Sequence, residues 1–136
     1  MILATSADRC FEPDLMVLLD TNTALTETGV IGPCNICIEI VSKETMSLDY
    51  EYKMMEYQRG QVPEYWIIDP IRSESQFYRL NDEKIYTQYW ENQQGIYQTP
   101  QLPKLQFHVP TLWCAERPNI FETIDAVRAM LNNEDQ

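Results

Sequence analysis

One carboxylate stands inside a greasy strand, and the rest of the chain must answer for it. In the run CNICIEIV, Cys34 to Val41, Glu39 lies between isoleucines. A charged, unpaired acid in such a place costs several kcal/mol, so the fold has to bring it a cation, a metal or a proton. The run is nearly all apolar, as expected of a strand covered on both faces. Ile36, Ile38 and Ile40 point one way, and Cys37, Glu39 and Val41 the other. Ser42, Thr45 and Ser47 then offer N-caps for a helix that runs to about Arg59, with Gly60 as its left-handed stop. Met46, Asp49, Lys53 and Tyr57 recur along one stripe of that helix. Val62-Pro63 turns the chain into EYWIID, a second buried strand ended by Pro70. A strand, a helix and a strand at this spacing predict a right-handed crossover between neighbours in one sheet, and hence an α/β fold.

The flanks supply further strands and one more helix. Residues 1–12 carry no readable period. Pro13-Asp14 opens LMVLL, a strand-length run ending at Asp20, with Asp14, Met16 and Leu18 on one face. TNTALTETGVIGP, rich in Thr, Asn and Gly, predicts a loop. SQFYRL and KIYTQYW alternate polar with aromatic residues around Asn81-Asp82, an antiparallel hairpin that a short strand near GIYQT extends. QLPKLQFHVPTLW, with its two prolines, reads as an extended edge or covering loop. Asn119 caps a last helix, IFETIDAVRAML, with Ile120, Ile124, Val127 and Leu131 on one side. At 136 residues the expectation is a single domain over 1–136.

Composition removes several classes of function. Ten basic residues against 21 acidic leave a net charge of −11, which disfavours a nucleic-acid reader working by charge alone. No apolar run approaches the ~20 residues of a membrane span. MILATSADRC lacks a basic region before its short apolar start and is no signal peptide, so the cytoplasm is the expected location. Cys34-x-x-Cys37 has zinc-ligand spacing, but no matching second pair follows it. On a strand, positions three apart point to opposite faces, so buried thiols are expected rather than a zinc site. A hydrolase using Cys114 with His108 has only their closeness in sequence behind it.

Asp14, Glu39 and Lys53 form the constellation with the most chemistry. Two carboxylates at the ends of adjacent strands can hold magnesium, which takes hard oxygen ligands and keeps waters. A strand carbonyl near Glu39 could add a third ligand. A nearby lysine can orient a water or stabilise developing negative charge. Plain alternatives stand beside this reading. On these, Asp14 serves only as a turn residue, Asp49 with Lys53 as a surface i,i+4 pair, and Tyr57, Tyr65 and Trp66 as core.

Taken in order, Pro13-Asp14, Glu39-Ile-Val-Ser42, then Asp49, Lys53 and Tyr57, Gly60, and VPEYWIIDP from Val62 to Pro70 resemble the Uma-two family of restriction endonucleases, within the PD-(D/E)XK nuclease superfamily. The resemblance covers roughly Pro13 to Trp113. It implies a restriction-endonuclease-like mixed β-sheet with a crossover helix and a C-terminal helix. It also implies magnesium-dependent hydrolysis of DNA phosphodiester bonds. Asp14 and Glu39 would be the metal-binding acids and Lys53 the catalytic amine, with Asp49 orienting Lys53 and Tyr57 lining the pocket. The superfamily usually sets its lysine two residues after the second acid, where Val41 stands here. The Uma-two pattern moves it to the following helix. The family core begins with a helix and a strand ahead of the first acid, and this chain is expected to be short of both. That leaves a sheet edge open to pairing, hence a homodimer. It also leaves an alternative function: a catalytically inactive nuclease-like domain serving as an interaction or dimerisation module.

Overall fold

In the computed structural model, residues 2–6, 9–19, 24–44 and 48–132 are described. They form two compact units, Met1–Tyr89 and Trp90–Gln136.

The first unit is built around the expected strand–helix–strand. β6 (Ile36–Ile40) and β7 (Glu64–Asp69) run parallel, with Glu39 opposite Ile67. A π-helical turn over Leu48–Lys53 leads directly into α1 (Met54–Arg59) between them. β3 (Leu15–Val17) flanks β6 antiparallel at one edge of the sheet. β8 (Glu74–Leu80) and β9 (Tyr86–Tyr89) complete the order β3-β6-β7-β8-β9. The crossover helix and the mixed five-stranded sheet bear out the α/β expectation.

Residues 2–31 hold more strand than their composition suggests. β1 (Ile2–Ser6), β2 (Arg9–Phe11), β4 (Ala24–Leu25) and β5 (Gly29–Ile31) form a second sheet, ordered β2-β1-β5-β4. The stretch expected to be loop therefore contains a β4–β5 turn. Thr26 closes it, its N–H and hydroxyl both donating to the Gly29 carbonyl at 2.8 Å. Strands of two or three residues are too short to display a period-2 pattern. Two strands, β1 and β2, stand ahead of Asp14.

The two sheets meet over α1. Leu3 and Val30 of the second sheet join Cys34, Cys37, Val41, Tyr57, Val62, Tyr65 and Ile67 in one buried cluster. Tyr57 is its centre, with Phe11 at 5.4 Å edge-on and Tyr65 at 5.1 Å between ring centroids. The opposite face of β7 carries Trp66, edge-on to Phe77 across the β7–β8 pair at 5.3 Å. β6 is less covered on that side than expected, since Ile40 is exposed.

The helix stop differs from the expected one. Gly60 keeps right-handed φ of −72°, and Gln61 takes the left-handed turn at φ 57°. The N–H of Gln61 donates to Gln58 and that of Val62 to Tyr57, both at 3.0 Å. This is the six-to-one closure of a Schellman motif, with buried Val62 and Tyr57 in register.

The Asn81 hairpin is as expected, and its turn recurs. Asn81 Oδ1 accepts the N–H groups of Glu83 and Ile85, and Asn92 Oδ1 those of Gln94 and Ile96, all at 3.0 Å. The fourth position of each turn is left-handed, Lys84 at φ 64° and Gly95 at φ 74°. In the second unit β10 (Ile96–Thr99) does not extend the β8–β9 hairpin. It pairs antiparallel with β11 (Leu102–His108) as a two-stranded sheet. A 3-10 turn over Val109–Trp113 follows. α2 (Ile120–Asn132) is capped as expected. Asn119 Oδ1 accepts the N–H groups of Phe121 and Glu122, and Glu122 returns a carboxylate to the Asn119 N–H at 2.8 Å. That reciprocal pair is a capping box.

Candidate active site

The compensation that Glu39 requires is supplied from the helix. Glu39 is 1% exposed. Lys53 Nζ lies 2.9 Å from its Oε2, and the Tyr57 hydroxyl donates to its Oε1 at 2.6 Å. Lys53 ends the π-turn and Tyr57 lies four residues on, so the two side chains descend on one carboxylate from the same side. Charge-assisted bonds of this kind are roughly twice as strong as neutral ones. Burial, then the Glu39 charge, push the Tyr57 phenol far above its ordinary range. Tyr57 is therefore a donor to Glu39 at any ordinary pH.

Asp14 arrives from the edge strand. The antiparallel register pairs Leu15 with Ile38, so one step further the chain brings Asp14 opposite Glu39, on the Met16–Cys37 face. Its Oδ2 accepts the N–H of Ile40 at 2.7 Å, and the residue is exposed. An acid on an edge strand thus caps the backbone beside the buried acid. Of Asp49 only the backbone is described, within the π-turn; its side chain lies outside the described residues, as do Thr45, Met46 and Ser47.

Three further buried acids carry no sequence signature of their own. Asp69, at the end of β7, accepts the Tyr50 hydroxyl at 2.8 Å and the N–H groups of Ile71 and Arg72 at 2.9 and 3.0 Å. Burial works against its charge, but these bonds prevail and hold its carboxyl below the usual range. The Tyr50–Asp69 bond also ties the π-turn that carries Lys53 to the sheet. Glu64 accepts the Trp66 indole N–H at 2.8 Å, with Arg79 Nε at 3.8 Å. An acid and a tryptophan two apart on a strand share a face, which is the one signal that could have found this pair. Glu56 is answered by Arg59 at 3.0 Å.

Cys34 and Cys37 are buried thiols as expected, but they are not separated to opposite faces. Cys34 sits two residues ahead of β6, outside the strand alternation that was to separate it from Cys37. Both thiols are buried, and their sulfurs approach to 2.9 Å. His108 and Cys114 are each engaged by their own turn, His108 Nδ1 with Thr111 at 2.7 Å and Cys114 with the Pro110 carbonyl at 3.4 Å.

The model of the family described as "Putative restriction endonuclease", Uma2, matches residues 2–110. The chain belongs to the Uma2 family. The match takes in β1 to β11, and the mixed sheet with its crossover helix is the restriction-endonuclease-like fold. A search of curated proteins finds no match. No described helix is long and apolar enough to cross a membrane.

A divalent metal can be tested against the donors present. Among the described residues no three His, Cys, Asp or Glu side chains gather into a cage. Magnesium does not require one, since it is commonly held through one or two carboxylates and keeps several waters. Asp14 and Glu39, hard oxygen donors on adjacent strands in register, fit that demand.

Proposed function

We propose that this Uma2 chain is a magnesium-dependent endonuclease that hydrolyses DNA phosphodiester bonds in the cytoplasm, with Asp14 and Glu39 as the metal ligands. The observation that carries the reading is the convergence on Glu39. A lysine and a tyrosine from one helix meet a buried acid whose strand neighbour is a second, exposed acid. A bound magnesium would acidify an attacking water and offset charge gathering on the phosphate. Tyr57 fixes the rotamer of Glu39 by donating to one oxygen. Lys53, held against the other, keeps an ammonium at the same point, where it can orient a water and stabilise the pentavalent oxygens. Asp14, fixed by the Ile40 N–H, holds its exposed carboxylate at the rim. Asp49, four residues before Lys53 in the chain, would orient it, as the family resemblance implies.

Plasmid incubated with the purified protein and magnesium tests this directly. Nicking or linearisation is expected, and Glu39→Ala should abolish it. Equal cleavage by the variant, or none by the wild type across divalent metals, would refute the assignment.

A second reading has its own support. Both oxygens of Glu39 are already engaged and the group is almost fully buried, while the chain carries −11 charges. A catalytically inactive homodimeric interaction module would have this closed, self-satisfied site. A dimer by light scattering, with no heat of magnesium binding in calorimetry, would select it.

A further inference from the structure

The Cys34–Cys37 pair has no part in the reading above, and it is built with some care. Both thiols are fully buried, and their sulfurs stand 2.9 Å apart, about 0.9 Å more than an S–S bond length. The residues between them are anchored. Asn35 donates its N–H to Val17 at 2.9 Å and accepts the Glu64 N–H on its carbonyl at 3.1 Å. Its side-chain oxygen accepts the Leu19 N–H at 2.9 Å. The short bridge is thus clamped to the segment of β3 on one side and to β7 on the other. The backbone between the two cysteines is thereby fixed, and their sulfurs stand within 2.9 Å of one another in the packed core.

We propose that Cys34 and Cys37 are a thiol–disulfide modification site, closed by hydrogen peroxide into an intramolecular disulfide at the root of the strand that carries Glu39. In the first step one thiol gives up its proton as its sulfur attacks a peroxide oxygen, the O–O bond breaks, and the leaving oxygen departs with that proton as water, giving a sulfenic acid. In the second the neighbouring sulfur attacks that sulfenic sulfur. The S–O bond breaks, the S–S bond forms, and the oxygen leaves as water with the remaining proton. Two thiols are oxidised by two electrons in all, and one peroxide is reduced to two waters. Burial favours a small uncharged oxidant over a bulky disulfide. It also holds the resolving sulfur beside the sulfenic acid, so closure outruns further oxidation. The proposal is independent of nuclease activity.

The test uses the full chain with Cys10→Ser and Cys114→Ser, which removes the two exposed thiols. After peroxide treatment the protein is unfolded without reductant, alkylated and weighed intact. Loss of both alkylatable thiols, with a mass lower by two hydrogens and restored by dithiothreitol, is the expected result. Adding Cys34→Ser should leave Cys37 unable to close, so that the same treatment adds oxygen to the mass. Circular dichroism of that variant confirms its fold. Two thiols still alkylatable after peroxide, oxygen gained without closure in the parent, or a zinc or copper ion carried by the pair in native mass spectra would each overturn the proposal.

Discussion

Replacing Lys53 with methionine removes the charge and keeps most of the side-chain volume, which isolates what the ammonium does for Glu39. At 2.9 Å and an effective dielectric constant of about 20, the gross attraction is about 6 kcal/mol. Desolvation of both ions offsets much of this, yet deleting one member of a buried pair still costs roughly 3–5 kcal/mol, because the other charge is stranded. Tyr57 remains and retains one bond to the carboxylate, which places the expected loss near the lower end. Adding Glu39→Gln to Lys53→Met should recover at least about 2 kcal/mol at neutral pH, since no charge is then left buried. Urea denaturation of wild type, single and double variants, followed by far-ultraviolet circular dichroism, reads both quantities. A Lys53→Met cost under about 1 kcal/mol, with no recovery in the double variant, would refute the compensation argument.

Gln61→Gly should stabilise the protein by about 1 kcal/mol in the same assay, because Gln61 occupies a left-handed position that glycine enters freely. Gly95→Ala should destabilise it, as its Cβ would meet the Pro110 ring at 2.8 Å; a neutral result would show that the ring yields. Asp69→Asn should cost about 1–3 kcal/mol at neutral pH. It should also flatten the acid limb of the stability curve, since a depressed carboxyl contributes stability present above its unfolded value and lost as pH falls through the folded one. Burial, then the Asp69 bond, push the Tyr50 phenol up to about 12 from an ordinary 10.0. Its contribution is whole below that ordinary value and lost as pH climbs towards 12. Tyrosinate absorbance should therefore rise together with unfolding, and Tyr50→Phe should remove part of that step.

The core of the site was legible because two strong patterns meet there. A saturated apolar strand with one acid is an energetic anomaly, and a lysine and a tyrosine four apart on the next helix are geometrically bound to share a face. The register that sets Asp14 beside Glu39 follows from the same alternation. What escaped was set by tertiary context. Within residues 2–31, β2, β4 and β5 are too short to show a period, and β1, ILATS, does not alternate cleanly between apolar and polar. The π-turn over Leu48–Lys53 leaves no mark in composition, though it alters the spacing between Asp49 and Lys53. Gln61 rather than Gly60 reverses the chain because the hydrogen-bond closure falls one residue later. Cys34 and Cys37 meet because the strand begins after Cys34, and boundaries of that kind are the least readable feature of any element. Glu64 and Asp69 look like ordinary strand ends until Trp66, Arg79, Tyr50 and the turn at Ile71 close around them.

The twin asparagine turns have a kinetic consequence. The Asn81 turn closes the β8–β9 hairpin and the Asn92 turn leads into β10, each gathering its donors locally, so the β8–β9 hairpin can form in microseconds without waiting for distant partners. The parallel β6–β7 pairing must first enclose some two dozen residues, and the Lys53–Glu39 pair is buried only once that core has formed. Substitutions at Asn81 are thus expected to slow folding, and those at Lys53 to hasten unfolding. The Lys53–Glu39 corner would assemble last and open first, on a frame that is already standing.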